Sequence, residues 1–381
     1  MAAYDVIVVG GGPAGSATAC LFAVQGKRVL LADAARFPRR KACAEYISPG
    51  GVTILERLGV LARIQSVGAY RWLRGMQVQA ASGDCHLLEY QAGREAERRY
   101  GLSVSRLILD LTLLDEARAR GAEVREGFRV RDVWLAKDRV LGVVGPAGER
   151  LEAELVVGAD GLHSIVARAM GVRRVTAWPR RLGLVAHWEG VDWPEDYGRM
   201  LVGPRDYVGV APLDKAGLIT VGMVRPMPLT HLGSATSAFE AGVAHHPELN
   251  QRLSRGRMTG PVLGVGPLAR RVGRYAGAGY ALVGDAAGFF DPFTGEGIFR
   301  ALRSAELLTA NPHSYARQRR QAFAAKERLV ALIQVVVQTP RLMNFTVHRL
   351  QQRPRVAREL GCVLGDLEPA RPGLAWRLLG P

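Results

Sequence analysis

The residues best suited to chemistry stand near the start of the chain, where Gly10, Gly12 and Gly15 form a Gly-x-Gly-x-x-Gly motif that is followed by Asp33. The first glycine allows a tight turn, the second lets a pyrophosphate approach the backbone, and the third lets a helix pack close to a strand. Backbone N–H groups at the start of that helix then face the phosphates, and the Asp33 carboxylate accepts hydrogen bonds from ribose hydroxyls. The spacing therefore predicts a dinucleotide-binding site.

Two later carboxylates, Asp160 and Asp285, each follow an apolar strand and stand beside a glycine in a turn that leads toward a helix. After Asp285, the loop 292–297 (Pro-Phe-Thr-Gly-Glu-Gly) feeds a helix that begins near Ile298. A glycine-rich loop before a helix N-terminus is again an anion-binding geometry. These segments predict a second group of ligand-binding residues.

Cys43 lies in the long loop 36–51, which is rich in arginine, glycine and proline. Long loops beside a cofactor site often carry chemistry. Two interpretations stay open: Cys43 faces a reactive ring, or it is a small buried residue of the kind that free cysteines usually are.

Alternating strands and helices must position these residues. The apolar, β-branched run 6–9 predicts a buried parallel strand, residues 14–25 a helix and residues 28–32 a second strand. Residues 123–144 predict a meander, and residues 171–226 a strand-rich segment. We expect an α/β (α+β) protein in which a Rossmann-like domain is interleaved with an antiparallel-sheet domain.

The chain has 381 residues and a net charge of +16, and its last segment, 311–381, holds twelve Arg or Lys and four Asp or Glu. A basic tail of this kind is compatible with peripheral membrane contact, whereas no nucleic-acid-binding motif accompanies it. Four cysteines form neither a C-x-x-C pair nor a cluster with histidine, so we expect no metal site. With no signal-like start and no run of about 18 apolar residues, a cytoplasmic location, with or without membrane association, is expected.

Three stretches, the N-terminal motif, residues 158–161 (Gly-Ala-Asp-Gly) and residues 284–287 (Gly-Asp-Ala-Ala), resemble the signature set of flavoprotein oxidoreductases of the p-hydroxybenzoate hydroxylase type. The resemblance spans about residues 1–310 and implies FAD as the cofactor. It implies that Gly10, Gly12 and Gly15 hold the pyrophosphate and Asp33 the adenosine ribose. Arg106 would contact FAD from the side, Asp160 would serve FAD and an approaching nicotinamide, and Asp285 the ribitol chain.

The full set of FAD contacts implied by the resemblance is Gly10, Gly12, Pro13, Ala14, Gly15, Asp33, Ala34, Lys41, Ala42, Cys43, Arg106, Asp160, Gly161, Gly284, Asp285, Pro292, Gly295, Glu296, Gly297 and Ile298. The corresponding FAD-binding domain comprises 1–70, 101–170 and 271–310. The substrate domain comprises 71–100 and 171–270, and 311–381 forms a C-terminal helical segment. Because the sequence has no second Rossmann unit, either NAD(P)H would visit only transiently as the electron donor or another donor would reduce the flavin.

Within this superfamily, residues 41–45 (Lys-Ala-Cys-Ala-Glu) and 292–298 are most similar to the geranylgeranyl reductase-like branch. The aromatic substrate motif of those reductases is represented by residues 207–213, which begin with Tyr207. The resemblance thus implies Cys43, Tyr207 and Pro292 as catalytic candidates and an apolar small-molecule substrate. Flavin-dependent halogenases are a third relative, although their Trp-x-Trp-x-Ile-Pro segment is missing.

Three functions follow from these observations. The first is an FAD-dependent reductase acting on an apolar isoprenoid- or polyketide-like substrate. The second is an FAD-dependent monooxygenase that hydroxylates an aromatic or polyketide substrate. The third, from another class, is a flavin- or prenyl-binding module without redox turnover.

Overall fold

The computed structural model describes residues 3–92, 97–176, 178–227 and 234–379. Within these ranges the largest sheet has eight strands, of which five run parallel. In spatial order the parallel strands are Glu123–Glu126, Val29–Asp33, Tyr4–Val9, Arg150–Gly158 and Tyr280–Leu282. The antiparallel strands that extend this sheet are Asp132–Ala136, Arg139–Val144 and Ala276–Gly277.

Both faces of the parallel sheet are covered, which is why its central strands are apolar on both sides. The helix Pro13–Val24 packs on one face with Arg106–Ala119 and Gly297–Ala310. The meander and the short helix Ile165–Ala169 cover the other face. Two further helices on the first side are Pro49–Arg57 and Val60–Val67.

The second sheet has seven strands and is antiparallel except for one pair. In spatial order its strands are Arg257–Val265, Arg181–Glu189, Ile219–Pro226, Tyr207–Pro212, Gly198–Val202, Gly75–Gln79 and Cys85–Glu89. The helices Ala235–Ala244 and Pro247–Leu253 cover one face. The C-terminal helices cover the other face and bury a second apolar core there.

Outside the two large sheets, the described residues form three small sheets. Tyr46–Ile47, Gly101–Ser103 and Arg71–Leu73 form the first. Arg173–Val175 pairs with Arg270–Val272, and Gln91–Ala92 pairs with Glu97–Arg98.

The C-terminal helices are Tyr315–Val337, Pro340–Gln352, Pro354–Leu364 and Leu374–Leu379. In the described part of the chain, no single helix is long and apolar enough to cross a bilayer, and the first two qualify only as a pair bent by 115°. The predicted fold class, including its C-terminal helical segment, is confirmed. The exact domain limits stay a prediction.

Candidate functional site

The glycine motif forms an open cradle at the start of the helix Pro13–Val24. Its N-cap residue, Gly12, has no side chain to satisfy the first backbone N–H groups, and no acidic residue stands in the first turn. A Cβ on Gly12 would meet only Arg39 and Arg106, at 3.6 and 3.9 Å. The space above Gly12 is therefore free, positively lined and suited to an anion.

The other two glycines of the motif are required by the protein itself. Gly10 has a φ of +103°. A Cβ on Gly15 would lie 1.8 Å from the carbonyl oxygen of Gly10, so only glycine lets the helix pack this close to the strand. Pro13 and Ala14 are buried in the first turn of that helix, while Ala34 is exposed beside Asp33.

Asp33 ends its strand with both carboxylate oxygens oriented by the backbone. Oδ2 accepts from the N–H of Gly11 and Oδ1 from that of Ala35, each at 2.7 Å. Since each carboxylate oxygen has two lone pairs, one remains on each oxygen for hydroxyl groups. Arg39, 3.8 Å from Asp33, extends the charged rim toward Gly12.

Arg106 connects the cradle to the Cys43 loop. Its guanidinium donates two hydrogen bonds to Asp110, at 2.6 and 2.8 Å, and its backbone N–H donates to Glu45. The partly buried thiol of Cys43 accepts from the N–H of Glu45 at 3.3 Å. Burial raises the pKa of Cys43 despite the opposing charge of Arg106, so the group is a protonated thiol near neutral pH.

The backbone segments that carry the two later carboxylates pack against this cradle. A Cβ on Gly10 would lie 2.9 Å from the Cα of Asp160, and one on Gly284 would lie 2.8 Å from the Cβ of Ala14. One oxygen of Asp160 accepts from the N–H of Ile165 at 2.6 Å, whereas the other is buried without a partner among the described residues.

Burial raises the pKa of Asp160 and also that of Asp285, where the charges of Lys41 and Arg106 act in the opposite direction. The fold therefore brings Asp285 near residues of the Cys43 loop. Ala42 in that loop is partly buried, and Gly161 has a φ of +74° with open space where a side chain would be.

A buried polar network holds the loop 292–297. Asp291 accepts from the hydroxyl of Tyr207, from Gln334 at 2.8 Å and from the N–H of Phe293 at 3.0 Å. Arg181 donates to Asp291 at 3.3 Å and to Gln334 at 3.0 Å. The network thus ties the loop to the second sheet and to the first C-terminal helix.

Tyr207 is part of this anchor. It is 3% exposed, its hydroxyl is bound to Asp291, and its ring contacts Phe293 edge-on at 5.1 Å between centroids. Its predicted catalytic role stays a prediction, and its contacts show a residue that positions the loop.

The helix Gly297–Ala310 begins directly after the loop, with no side chain capping its N-terminus. The side chain of Glu296 turns away to Arg300 and Lys326, at 3.2 and 3.3 Å, so only its backbone is available at this helix start. Ile298 is buried in the core below. The exposed N–H groups are a second anion-stabilising end in the same site.

An apolar cavity adjoins the loop. Its walls come from the second sheet, the C-terminal helix Pro354–Leu364, the loop and the end of the Cys43 segment. Residues that line it include Ala44, Tyr46, Met76, Val78, Leu88, Tyr90, Met200, Pro292, Phe293, Thr294, Gly295 and Leu364. Its composition suits an apolar ligand.

A second pocket is lined by four arginines, Arg173, Arg174, Arg270 and Arg271, and by one carboxylate, Asp285. Burial and the charge of Arg173 lower the pKa of Arg270, whose Nε has no partner among the described residues. Burial and the charges of Arg270 and Arg173 also lower the pKa of His163. The pocket therefore has an excess of positive charge.

These features fit FAD. The space above Gly12 takes a pyrophosphate, Asp33 has free lone pairs for a ribose, and the unpartnered oxygen of Asp160 is a buried acceptor awaiting a donor. When bound, the flavin supplies hydride and electron transfer. Fold and site together define an FAD-dependent oxidoreductase.

Comparisons with known proteins agree. A family model described as FAD binding domain matches residues 3–231, and the chain belongs to this family. A menaquinone reductase of Mycolicibacterium smegmatis is 30% identical over 80% of this chain and 76% of that protein. A digeranylgeranylglycerophospholipid reductase of Methanosarcina acetivorans is 28% identical over 80% of this chain and 74% of that protein.

Among solved structures, a triple mutant of the flavin-dependent brominase Bmp2 has a TM-score of 0.83 and covers 98% of this chain and 97% of that chain. At 21% identity it shows the fold alone. The predicted superfamily, its geranylgeranyl reductase-like relatives and FAD as the cofactor are confirmed.

Sequence reasoning missed three groups in the site. The network around Asp291, the hydroxyl pair of Tyr46 and Tyr90, and the pair of Glu45 with His187 all join residues far apart in the chain. Among the residues of these three groups, Glu45 has a left-handed backbone, with a φ of +58°, a conformation that often marks a functional site. This conformation cannot be read from the sequence.

Proposed function

We propose that this enzyme reduces an apolar, isoprenoid-like substrate, with NAD(P)H as the electron donor. The observation that carries the proposal is the apolar lining of the cavity between the loop 292–297, the Cys43 segment and the second sheet. Its walls offer Met, Val, Leu and Phe side chains, which suit a chain of hydrocarbon units. The relatives named for menaquinone and digeranylgeranylglycerophospholipid support this choice over a polyketide.

The residues of this chain have distinct roles in the proposal. The N-terminal cradle and Asp33 bind the adenosine and pyrophosphate end of FAD. Arg106 holds the Cys43 loop against the same site through Glu45, and the Asp291 network fixes the loop that carries Pro292 and Gly295. The cavity binds the apolar part of the substrate.

The cationic pocket supports NAD(P)H as the electron donor. Arg173, Arg174, Arg270 and Arg271 outnumber the one carboxylate in its lining, Asp285, and NAD(P)H carries a pyrophosphate that such a pocket could bind. We expect Arg270→Ala to raise the KM for NADPH at least about tenfold while the rate at saturating donor changes little. The exposed Arg320→Ala is the matched control, and an unchanged KM in Arg270→Ala would exclude this docking place.

The basic C-terminal segment supports contact with a membrane, where such a substrate resides. The helices Pro340–Gln352 and Leu374–Leu379 present Phe345 and Trp376 to solvent. Aromatic rings and arginines together suit the boundary of an anionic bilayer.

Product analysis under anaerobic conditions tests the function. The FAD-loaded enzyme is mixed with NADPH and either a geranylgeranyl lipid or an aromatic polyketide. A product heavier by two hydrogens from the isoprenoid supports the proposal. A hydroxylated product that forms only when oxygen is admitted would replace it with the monooxygenase, and flavin that NADPH does not reduce would favour the binding module.

A further inference from the structure

The walls of the apolar cavity carry one paired polar feature. Tyr46 and Tyr90 both line it, are 6% and 3% exposed, and their hydroxyl oxygens lie 2.5 Å apart. Arg199 also lines the cavity; two of its nitrogens are bound to Glu248 and Gln79, and its Nε has no partner among the described residues. The Tyr46–Tyr90 pair and Arg199 are therefore the main polar groups in an otherwise apolar lining.

The direction of the bond leaves one hydrogen available. Tyr46 donates to Tyr90, and in the described part of the chain the hydroxyl of Tyr90 has no acceptor for its own hydrogen. Thr294, on the same cavity, likewise has a buried hydroxyl without a partner in those residues. Because buried donors usually have a partner, a ligand atom is the natural acceptor.

The protonation state of the two phenols determines which kind of ligand atom they can bind. Burial raises the pKa of both phenols, and the nearby carboxylate of Asp366 raises each further, so both are hydrogen-bond donors at neutral pH. The charge of Lys326 is already shared between Asp366 and Glu296. An anionic group bound to the tyrosines would be repelled by the nearby charge of Asp366, and the charge of Arg199 is offset by Glu248, whereas a neutral oxygen would meet a donor.

The Tyr46–Tyr90 pair also lies next to the loop 292–297. A Cβ on Gly295 would be 2.6 Å from the ring of Tyr46, and one on Gly365 would be 2.9 Å from the ring of Tyr90. Both rings are thus wedged between the loop 292–297 and the C-terminal segment, which restricts their rotation. A ligand oxygen bound here is held at a defined place beside that loop.

We propose that the Tyr46–Tyr90 pair binds a neutral oxygen, of the quinone or enone carbonyl class, on an otherwise apolar substrate. This inference rests on the proposed function, since it assumes that the cavity holds the substrate. It narrows the substrate to a molecule whose reacting end is uncharged. Both tyrosines are positioning residues in this view.

Binding of two matched probes to the oxidised, FAD-loaded enzyme tests the inference. The first probe is 2,3-dimethyl-1,4-naphthoquinone, whose blocked ring positions prevent addition of a thiol, and its Kd is measured by calorimetry. The second is 2,3-dimethylnaphthalene, the same skeleton without oxygens, followed by its own fluorescence. The variants are Tyr90→Phe and Tyr46→Phe, and the control is Tyr315→Phe, which removes a buried hydroxyl that bonds Leu282 outside the cavity.

We expect Tyr90→Phe to weaken quinone binding about five- to tenfold, the value of one hydrogen bond, and to leave naphthalene binding unchanged. Tyr46→Phe should have a smaller effect in the same direction, and Tyr315→Phe none. Equal quinone affinity in wild type and Tyr90→Phe would overturn the role of the pair while leaving the proposed function standing. If wild type binds neither probe, the cavity is not the substrate site, and both proposals fail.

Discussion

Gly12 and Gly15 belong to one motif but serve different purposes in the folded chain. A side chain on Gly15 would collide with the backbone of Gly10, whereas one on Gly12 would occupy only the empty cradle. A mutation of Gly15 should therefore disturb the fold, whereas a mutation of Gly12 should disturb the binding of the cofactor.

We expect Gly12→Ala to lose FAD while the apolar core survives, because the added methyl group takes the place of the pyrophosphate. Flavin absorbance per mole of protein and the thermal unfolding of the apoprotein are the measurements. Gly15→Ala serves as the contrast and should fail to fold. Full FAD retention by Gly12→Ala would contradict the placement of that glycine.

Cys43 differs from the exposed Cys85 in its surroundings. It lies beside Arg106 and Glu45, with its thiol protonated near neutral pH. We expect Cys43→Ser to bind FAD normally but to turn over at least about tenfold more slowly, a modest loss for a group that helps to move a proton. Cys85→Ser is the control, and unchanged turnover in Cys43→Ser would return Cys43 to a packing role.

At the scale of elements, the loop 292–297 is held from two sides. Asp291 anchors its start to the second sheet and the first C-terminal helix, and Glu296 anchors its end through Lys326. Lys326 also pairs with Asp366, in the turn after Pro354–Leu364. The loop 292–297 thus depends on the C-terminal helices for its position.

This junction should be sensitive to pH. Burial raises the pKa of Asp366 to about 6 from its ordinary 3.8, with Glu296 acting in the same direction and Lys326 against it. A raised pKa means that the folded state favours the neutral form, so the contribution to stability is complete below about pH 4 and is lost as pH rises through about 6.

Relative to wild type, Asp366→Asn should therefore gain free energy of unfolding between pH 4 and pH 7, by about 1–3 kcal/mol. Urea unfolding at several pH values measures the difference, with the exposed Asp115→Asn as control. Parallel stability curves for wild type and Asp366→Asn would show that the carboxylate is not buried as described.

On the scale of the whole molecule, positive charge is concentrated in the C-terminal segment, 311–381. The last seventy-one residues combine twelve Arg or Lys with exposed aromatic rings, Phe345 at 43% and Trp376 at 71% exposure. One of these helices, Pro354–Leu364, contributes Leu364 to the cavity wall. A bilayer contacted here would lie near the substrate space.

We expect the protein to sediment with vesicles that contain phosphatidylglycerol and to be released by about 0.5 M salt, since screening weakens exposed charges. Vesicles of phosphatidylcholine alone should bind weakly. Trp376→Ala should reduce the bound fraction, whereas Trp178→Ala, which removes an exposed Trp outside the C-terminal segment, should not. Equal binding to both vesicle types would contradict an electrostatic contact.

The sequence by itself determined the nucleotide-binding half of this protein. Gly10, Gly12, Gly15 and Asp33 fall within one strand–helix–strand unit, so local spacing was enough to predict the fold there, while the place of the pyrophosphate stays a prediction. Asp160 and Asp285 were found in the same way, because each stands in a turn after an apolar strand.

Only the tertiary structure decided the polar contacts around the loop 292–297 and the apolar cavity. Tyr46 meets Tyr90, Asp291 meets Gln334, and Lys326 meets Asp366 through packing of elements that are distant in the chain. Such contacts leave no periodic signal, since each partner is a single polar residue in an otherwise apolar segment. Tyr207 illustrates this: its sequence motif predicts catalysis, but its neighbour Asp291 gives it the contacts of an anchor.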